Sequence, residues 1–180
     1  QILGKLLVVD DNKNNTQLLK KRLSKQGHDV VTAQDGREAT ESLINHLDTD
    51  LILLDIVMPE MNGYEVLKFI RSDNRFHELP VIMISSMDDI DSIYRCIELG
   101  ADDYITKPFD KSILDARIIS CIERKQLRDQ EKLLLKELEV EKAKSDDLLL
   151  NILPENIANR LKKGEKLISD YYSNITMVFI

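Results

Sequence analysis

The sequence is short of the residues that support disulfide frameworks, metal clusters and membrane spans. Its 180 residues include no tryptophan, only 5% aromatic residues and two cysteines, Cys96 and Cys121, whose spacing fits no metal site. Such isolated cysteines indicate buried free thiols in a reducing cytosol. The three histidines are scattered, no apolar run reaches the roughly 18 residues of a bilayer span, and the first residues lack the cleavage site of a signal peptide. We therefore expect a cytoplasmic protein without a membrane partner.

Positive charge is also scarce in the first part of the chain. Residues 1–115 carry 13 Lys and Arg against 21 Asp and Glu, whereas residues 116–165 carry 11 against 10, and the whole chain has a net charge of −7. An acidic head on a near-neutral stalk is unsuited to the phosphate backbone, so we expect no nucleic-acid partner and no DNA-binding output. The hydrophobic fraction of 43% supports a real core.

Five short apolar runs recur at regular intervals in the first 110 residues. They are KLLVV (5–9), DVVTA (29–33), LILLD (51–55), VIMIS (81–85) and DYIT (103–106). Each run is rich in Val, Ile or Leu and lacks alternation, which is typical of parallel strands covered on both faces. Segments with helical periodicity lie between them, at residues 16–26, 36–47, 64–72 and 90–99. The pattern predicts an α/β fold with a doubly wound, five-stranded parallel sheet, whose ligands bind beyond the carboxyl ends of the strands.

A second kind of segment begins after Asp110. Residues 111–151 contain no Gly and no Pro, which predicts one continuous helix of about 40 residues, roughly 60 Å long. A heptad frame places apolar side chains on a seam, interrupted by Glu131, Glu141 and Ser145. The seam residues are Leu127, Leu134, Leu138, Leu148 and Ile152. We expect a coiled-coil homodimer, although a solvated single helix or a helix packed on its own domain stays possible. Pro154 ends this helix, and ENIANRLKKG predicts a short amphipathic helix closed by Gly164.

Acidic residues follow two of the predicted strands. Asp10 and Asp11 end the first strand and Asp55 ends the third. If these strands are neighbours, three carboxylates meet at one edge of the sheet and repel each other unless a divalent cation lies between them. Oxygen ligands of this kind favour Mg²⁺.

A hydroxyl and a lysine complete this predicted site. Ser85 ends the fourth strand, and Lys107 follows the fifth, directly before Pro108. A phosphoryl group on Asp55 could be neutralised by Mg²⁺ and Lys107 and hydrogen-bonded by Ser85. Acids at strand ends often mark solvated loops only, but five suitable residues at one edge favour a site.

Residues 3–125 resemble the receiver domain of two-component response regulators, which has a flavodoxin-like fold. The resemblance rests on LLVVDDNKNN, AQDGREA, LILLDIVMPEMNGYEVL, LPVIMISS and GADDYITKPF, in the family's order and spacing. It implies a histidine kinase or a phosphotransfer protein as phosphodonor. Ser86 departs slightly from the family, which usually has a small apolar residue there.

The resemblance assigns a role to each residue of the site. Asp55 would be the phosphoacceptor, Asp10 and Asp11 the acidic pair, and Lys107 the phosphate-binding lysine. Mg²⁺ would be bound by Asp11, Asp55 and the backbone carbonyl of Val57. Ser85 and Tyr104 would form the switch, in which Tyr104 turns inward when Ser85 moves to the phosphate. A cis peptide bond is expected between Lys107 and Pro108.

The tail, LLLNILPENIANRLKKGEKLISDYYSNITMVFI, resembles the entry segment of class III adenylate/guanylate cyclases. In those proteins an "LL…ILP…IA..L..G" stretch leads to the first catalytic strand, and ITMVFI would be that strand, before the aspartate of its F-x-D motif. We therefore divide the chain into a receiver domain (1–115), a coiled-coil helix continuous with the last receiver helix (116–153) and a cyclase entry segment (154–180). The expected function is regulation and dimerisation of a cyclase, with no cyclase activity in these residues themselves.

Two other outputs remain open at this point. The chain can be an adaptor, in which a receiver and its helical stalk bind another protein without enzymatic output. It can also feed a histidine kinase or a diguanylate cyclase, although ILPENIANRL is not typical of the entry to either.

Overall fold

The computed structural model describes residues 2–86, 90–153 and 155–165, and within these the side chains of Ile152 and Asn156 are left undescribed. The chain divides into two compact units, one ending at Asp129 and the other beginning at Gln130. None of the helices within these described residues is both long and apolar enough to cross a bilayer.

The five predicted strands form one parallel sheet in the order β2-β1-β3-β4-β5. Their bounds are β1 Lys5–Val9, β2 Asp29–Ala33, β3 Leu51–Asp55, β4 Val81–Ser85 and β5 Asp103–Thr106. The prediction of a doubly wound α/β fold is therefore confirmed, with every strand at its predicted residues. The agreement is close because each strand is a short, largely apolar run that ends in a polar residue or is followed directly by one.

Four helices connect the strands, and side-chain caps fix where three of them begin. They are α1 Lys13–Lys25, α2 Gly36–Asn45, α3 Gly63–Ser72 and α4 Ile90–Glu98. The side chain of Asn12 accepts a hydrogen bond from the Asn14 amide, so α1 begins three residues before the predicted Thr16. Asp35 caps α2, and Asn62 forms a reciprocal capping box with Glu65 at the start of α3. Such caps satisfy amide groups that a helix cannot bond internally.

The core lies on both faces of the sheet. Leu7, Val9 and Leu54 pack on one face with α2, α3 and Cys96 of α4. The alternate residues of the same strands pack on the other face with α1 and the start of α5, where Cys121 lies. Successive strand residues point to opposite faces, so two buried faces produce unbroken apolar runs. Both cysteines are buried and free, as predicted.

The long helix α5 runs from Lys111 to Ile152, over 42 residues. Its first turns belong to the core, because Leu114, Ile118, Cys121 and Ile122 are 0–1% exposed. This packing continues beyond residue 115, the predicted end of the receiver, and the first compact unit extends to Asp129. The division at 115 and 153 stays a prediction about function.

The second unit contains the end of α5 and the short helix α6, Glu155–Lys162. Lys162 forms an ion pair with Asp146 of α5, at 2.9 Å. The chain turns after α6 at Gly164, whose φ of 86° is the left-handed conformation that glycine adopts readily. The predicted helix over ENIANRLKKG is thus confirmed. Residues 166–180, which include the predicted strand ITMVFI, lie outside the described residues.

Candidate functional site

The predicted site lies where the order of the sheet reverses. The chain places β2 on one side of β1 and β3 on the other, and Val9 of β1 pairs with Leu54 of β3. Asp10 follows β1 and Asp55 ends β3, so the two acids lie side by side at the carboxyl edge. The first and third strands are neighbours, which is the condition that the predicted site required, and the reversal between them creates the crevice in which open α/β sheets bind ligands.

Three carboxylates converge at this edge. Oxygen atoms of Asp10, Asp11 and Asp55 lie within 4.8 Å of one another. Asp10 and Asp55 are buried, at 3% and 7% exposure, whereas Asp11 is exposed. Hard oxygen donors at this separation, with one carboxylate open to water, fit a small hydrated dication such as Mg²⁺. These three carboxylates are the acidic pocket at which the resemblance to receiver domains implies that Mg²⁺ binds.

Protein donors hold the carboxylate of Asp10. Its Oδ1 accepts a hydrogen bond from the Asn12 amide at 2.9 Å, and the side-chain amide of Asn15 lies 3.1 Å from both oxygens. Asn15 was missed by the sequence analysis, although its place in the first turn of α1, five residues after Asp10, is a usable signal. These contacts fix Asp10 in place.

Lys107 connects the two buried acids. Its Nζ atom lies 2.7 Å from Asp10 Oδ2 and 2.6 Å from Asp55 Oδ2. Burial raises the pKa of Asp55, against the opposing hydrogen bond and charge of Lys107. Burial alone would lower the pKa of Lys107, but its hydrogen bonds to Asp10 and Asp55 outweigh this effect and raise the pKa. The lysine therefore stays charged and partly neutralises a crowded anionic site.

The loop after β3 packs closely against Asp55. A Cβ atom on Gly63 would lie 2.2 Å from the backbone oxygen of Asp55, so only glycine fits there. The Gly63 amide donates to the Ile56 carbonyl at 2.9 Å, and the Val57 amide donates to Asp55 Oδ1 at 3.3 Å. The glycine of the MNG sequence therefore allows the first residue of α3 to pack against the backbone of Asp55.

Ser85 and Tyr104 lie on the two strands beyond β3. Ser85 is fully buried at the end of β4, and its carbonyl accepts a hydrogen bond from the Lys107 amide at 2.7 Å. Tyr104 is half-buried in β5 and pairs with Met83 of β4. The peptide bond between Lys107 and Pro108 is cis, as expected. The structure thus brings the acids, the lysine and the hydroxyl to one edge of the sheet.

The fold and this edge together define a receiver domain. The family model for the response regulator receiver domain matches residues 6–119, and the chain belongs to this family. It is therefore a receiver domain of two-component signalling, a class that takes phosphate from histidine kinases.

Known relatives agree with this membership. The chain is 40% identical over 115 residues to the chemotaxis protein CheY1 of Helicobacter pylori, covering 63% of this chain and 93% of that protein. It is 41% identical over 124 residues to the probable transcriptional regulator ycf27 of Cyanidium caldarium, covering 69% of this chain and 48% of that one. The chain thus spans about half the length of the first curated relatives that it matches.

Solved structures show the same fold. A receiver domain protein from Clostridium thermocellum superposes with a TM-score of 0.65 at 28% identity, over 69% of this chain and 98% of that one. The receiver domain of the Francisella response regulator 1452 gives 0.62 at 36% identity, over 67% and 98%. The match to the family model ends at residue 119, well before the end of α5.

Proposed function

We propose that the chain is a phosphorylation-controlled regulatory and dimerisation module, in which Asp55 accepts a phosphoryl group and α5 transmits the resulting change. The observation that carries this proposal is the contact of Lys107 with both Asp10 and Asp55, at 2.7 and 2.6 Å. It supports Asp55 as the acceptor because a fixed cation lies beside one oxygen of a carboxylate at the carboxyl edge of the sheet.

The proposed transfer is a displacement at phosphorus. A carboxylate oxygen of Asp55 attacks the phosphoryl group of a phosphohistidine on a histidine kinase or phosphotransfer protein. A P–O bond forms, the P–N bond breaks, and its electron pair returns to the imidazole nitrogen, which takes a proton. Lys107 remains beside the phosphoryl oxygens and balances their charge. Asp11, Asp55 and the Val57 carbonyl would hold Mg²⁺, with Asp10 beside them. The bound ion would neutralise the charge of the same phosphoryl oxygens.

The proposed switch uses Ser85 and Tyr104. The hydroxyl of Ser85 donates a hydrogen bond to a phosphoryl oxygen on Asp55, and Tyr104 moves inward as Ser85 moves. The buried position of Ser85 at the end of β4, next to the strand that carries Asp55, supports this role. The half-buried ring of Tyr104 on the adjacent strand supports a change between two positions.

The proposed transmission uses pairing of α5 with a second copy of the chain. Four of the predicted seam residues are largely exposed, at 57–65%; these are Leu127, Leu134, Leu138 and Leu148. A helix with large apolar side chains at heptad spacing is stable in water when it pairs, which supports a coiled-coil homodimer. Ile152 is the fifth seam residue, and its side chain lies outside the described part of the chain.

The proposed output is a class III adenylate/guanylate cyclase that follows the stalk in a longer protein. Residues 154–180 would be its entry segment, and they would have no cyclase activity of their own. The alternative is an adaptor that acts through the receiver and the stalk without enzymatic output. The sequence that follows residue 180 distinguishes the two, as does an assay of cyclic nucleotide formation with that longer protein.

Labelling by a small phosphodonor tests the receiver activity. The protein is incubated with acetyl phosphate and Mg²⁺, and its intact mass is measured with and without a chelator. We expect one phosphoryl group per chain, lost when Mg²⁺ is removed, and we expect Asp48→Asn, an exposed control, to behave like the parent protein. Absence of labelling, or labelling that ignores the chelator, would contradict the proposal.

A further inference from the structure

Two cations attach the base of the stalk to the receiver. Lys125 Nζ lies 3.1 Å from Asp50 Oδ1 in the loop before β3. Arg128, almost one helical turn later, donates from Nη2 to the backbone oxygen of Glu78 at 2.6 Å, and its Nε lies 3.7 Å from the Glu78 carboxylate. Asp50 and Glu78 precede β3 and β4. The two contacts therefore hold one side of α5 against the amino ends of these strands, whereas the acidic site lies at their carboxyl ends.

The segment that receives Arg128 is itself firmly held. Arg71 of α3 donates to the carbonyls of His77 and Leu79, at 3.1 and 2.8 Å. The Glu78 carbonyl between them accepts from Arg128, so two arginines from two helices bind three consecutive carbonyls. This loop leads directly into β4, which carries Ser85 at its other end. Arg128 thus binds a fixed support that is continuous with the predicted switch strand.

The sequence of α5 beyond residue 126 permits two heptad frames. They share one half of their seam positions, and the other half lies one residue further along the chain in the second frame. Both frames share the positions of Glu131, Leu138, Ser145 and Ile152. The first frame adds Leu127, Leu134, Glu141 and Leu148. The second frame adds Arg128, Leu135, Lys142 and Leu149. Five of the eight positions are apolar in the first frame and four in the second, and each frame has a charged residue near its centre. The two seams therefore differ little in apolar content, and they are related by a rotation of each helix about its axis.

Arg128 cannot serve both arrangements. In the second frame it occupies the seam, but in this structure it binds the Glu78 carbonyl while Leu127 of the first frame is 61% exposed. We propose that Arg128 is a latch that selects the seam: bound to Glu78, it presents the Leu127 frame to the second chain, and released, it allows the Leu135 frame. The inference rests on the proposed dimer and adds the residue that determines which face of α5 the dimer uses.

Cross-linking of the 180-residue chain tests the latch. Leu134→Cys and Leu135→Cys report the first and second frames, and a bismaleimide joins pairs of these cysteines across the dimer. The native cysteines stay in place because they are buried, and the parent protein gives the background. We expect more cross-linking at 134 than at 135. In Arg128→Ala we expect the ratio of the two yields to fall by about three- to tenfold, the range for loss of a partly exposed charged hydrogen bond.

Two further variants make the result decisive. Lys136→Ala removes a charge that lies in neither seam and should leave the ratio unchanged. Arg128→Leu removes the latch and adds an apolar residue to the second seam, so it should shift the ratio at least as far as Arg128→Ala. If the ratio of the yields at 134 and 135 is the same in both Arg128 variants as in the parent protein, the latch is overturned and the proposed dimer stands. A monomeric chain without cross-links at either position would overturn the proposed dimer and the latch with it.

Discussion

Lys107 and Asp55 are 52 residues apart in the chain, and their Nζ and Oδ2 atoms lie 2.6 Å apart. The lysine follows β5 and the aspartate ends β3, so the contact passes the end of β4, where Ser85 lies. The same ammonium contacts Asp10, which follows β1 on the other side of β3, at 2.7 Å. One cation therefore compensates two buried carboxylates at neighbouring strands, an arrangement that is costly to interrupt because each acid would remain buried without a compensating positive charge.

Replacement of Lys107 should impair labelling and make folding more dependent on Mg²⁺. In Lys107→Ala the phosphoryl group loses its fixed cation, so we expect the labelling rate with acetyl phosphate to fall by at least about tenfold. Added Mg²⁺ should raise the melting temperature of the variant more than that of the parent protein, because the dication then replaces the missing positive charge. Lys107→Arg, which keeps the charge, is the matched control. Labelling of Lys107→Ala at the parental rate would remove the lysine from the site.

The dimer should depend on the predicted seam and not on apolar surface in general. Leu134→Asn with Leu138→Asn removes about 1.5–3 kcal/mol of burial for each Leu in a paired helix, so this variant should be monomeric by light scattering. Leu133→Asn with Val140→Asn introduces the same residue type at side chains of comparable exposure, 58% and 48%, outside the seam. This control should remain dimeric. If the seam variant remains dimeric as well, the chains associate through another surface.

The polar residues of the seam should weaken the dimer. Glu131, Glu141 and Ser145 occupy positions where a static coiled coil has Leu or Ile, and burial of unpaired polar groups is unfavourable. The triple variant Glu131→Leu, Glu141→Leu and Ser145→Ile should therefore melt at a higher temperature at equal concentration, followed by circular dichroism. Glu137→Leu with Glu139→Leu, outside the first seam, controls for general hydrophobicity. A triple variant that melts no higher than this control would show that the three residues do not lie in the interface.

Stability should fall in alkaline solution because of a buried thiol. Burial raises the pKa of Cys96 from 9.0 to about 11, against the opposing hydrogen bond of Tyr64 and charge of Arg95. Between these two values the folded chain retains a proton that the unfolded chain has lost, so the free energy of unfolding decreases as the pH rises through this window and is unaffected below it.

Urea denaturation from about pH 8.5 to about pH 11 measures this effect. In Cys96→Ala the loss of stability over this range should be smaller by about 2 kcal/mol, from the conversion of a pKa shift to free energy. Val81→Ala also removes buried volume but does not titrate, so it should lose as much stability over the range as the parent protein. Equal slopes in Cys96→Ala and the parent would contradict the assignment.

The sequence predicted the sheet well because all the information lies within each strand. The run LILLD is recognisable by its four consecutive apolar residues, and the polar residue at its end marks the boundary of the strand. The start of α1 was misplaced because it depends on one hydrogen bond, which the Asn12 side chain accepts from the Asn14 amide. The contact between Arg128 and Glu78 joins residues 50 positions apart, and neither residue type nor periodicity identifies such a pair. The site itself was predictable because its acids and its lysine follow recognisable strands, whereas Asn15 acts through a local contact on a helix.

The central claim is that Asp55 carries the phosphoryl group, and mapping the acyl phosphate tests it most directly. The labelled protein is reduced with borohydride, which converts a phosphorylated aspartate to homoserine, and its peptides are sequenced by mass spectrometry. We predict homoserine at residue 55 alone, and no labelling of Asp55→Asn, whereas Asp48→Asn should be labelled and reduced at residue 55 like the parent. Homoserine at residue 10 or 11, or full labelling of Asp55→Asn, would contradict the account.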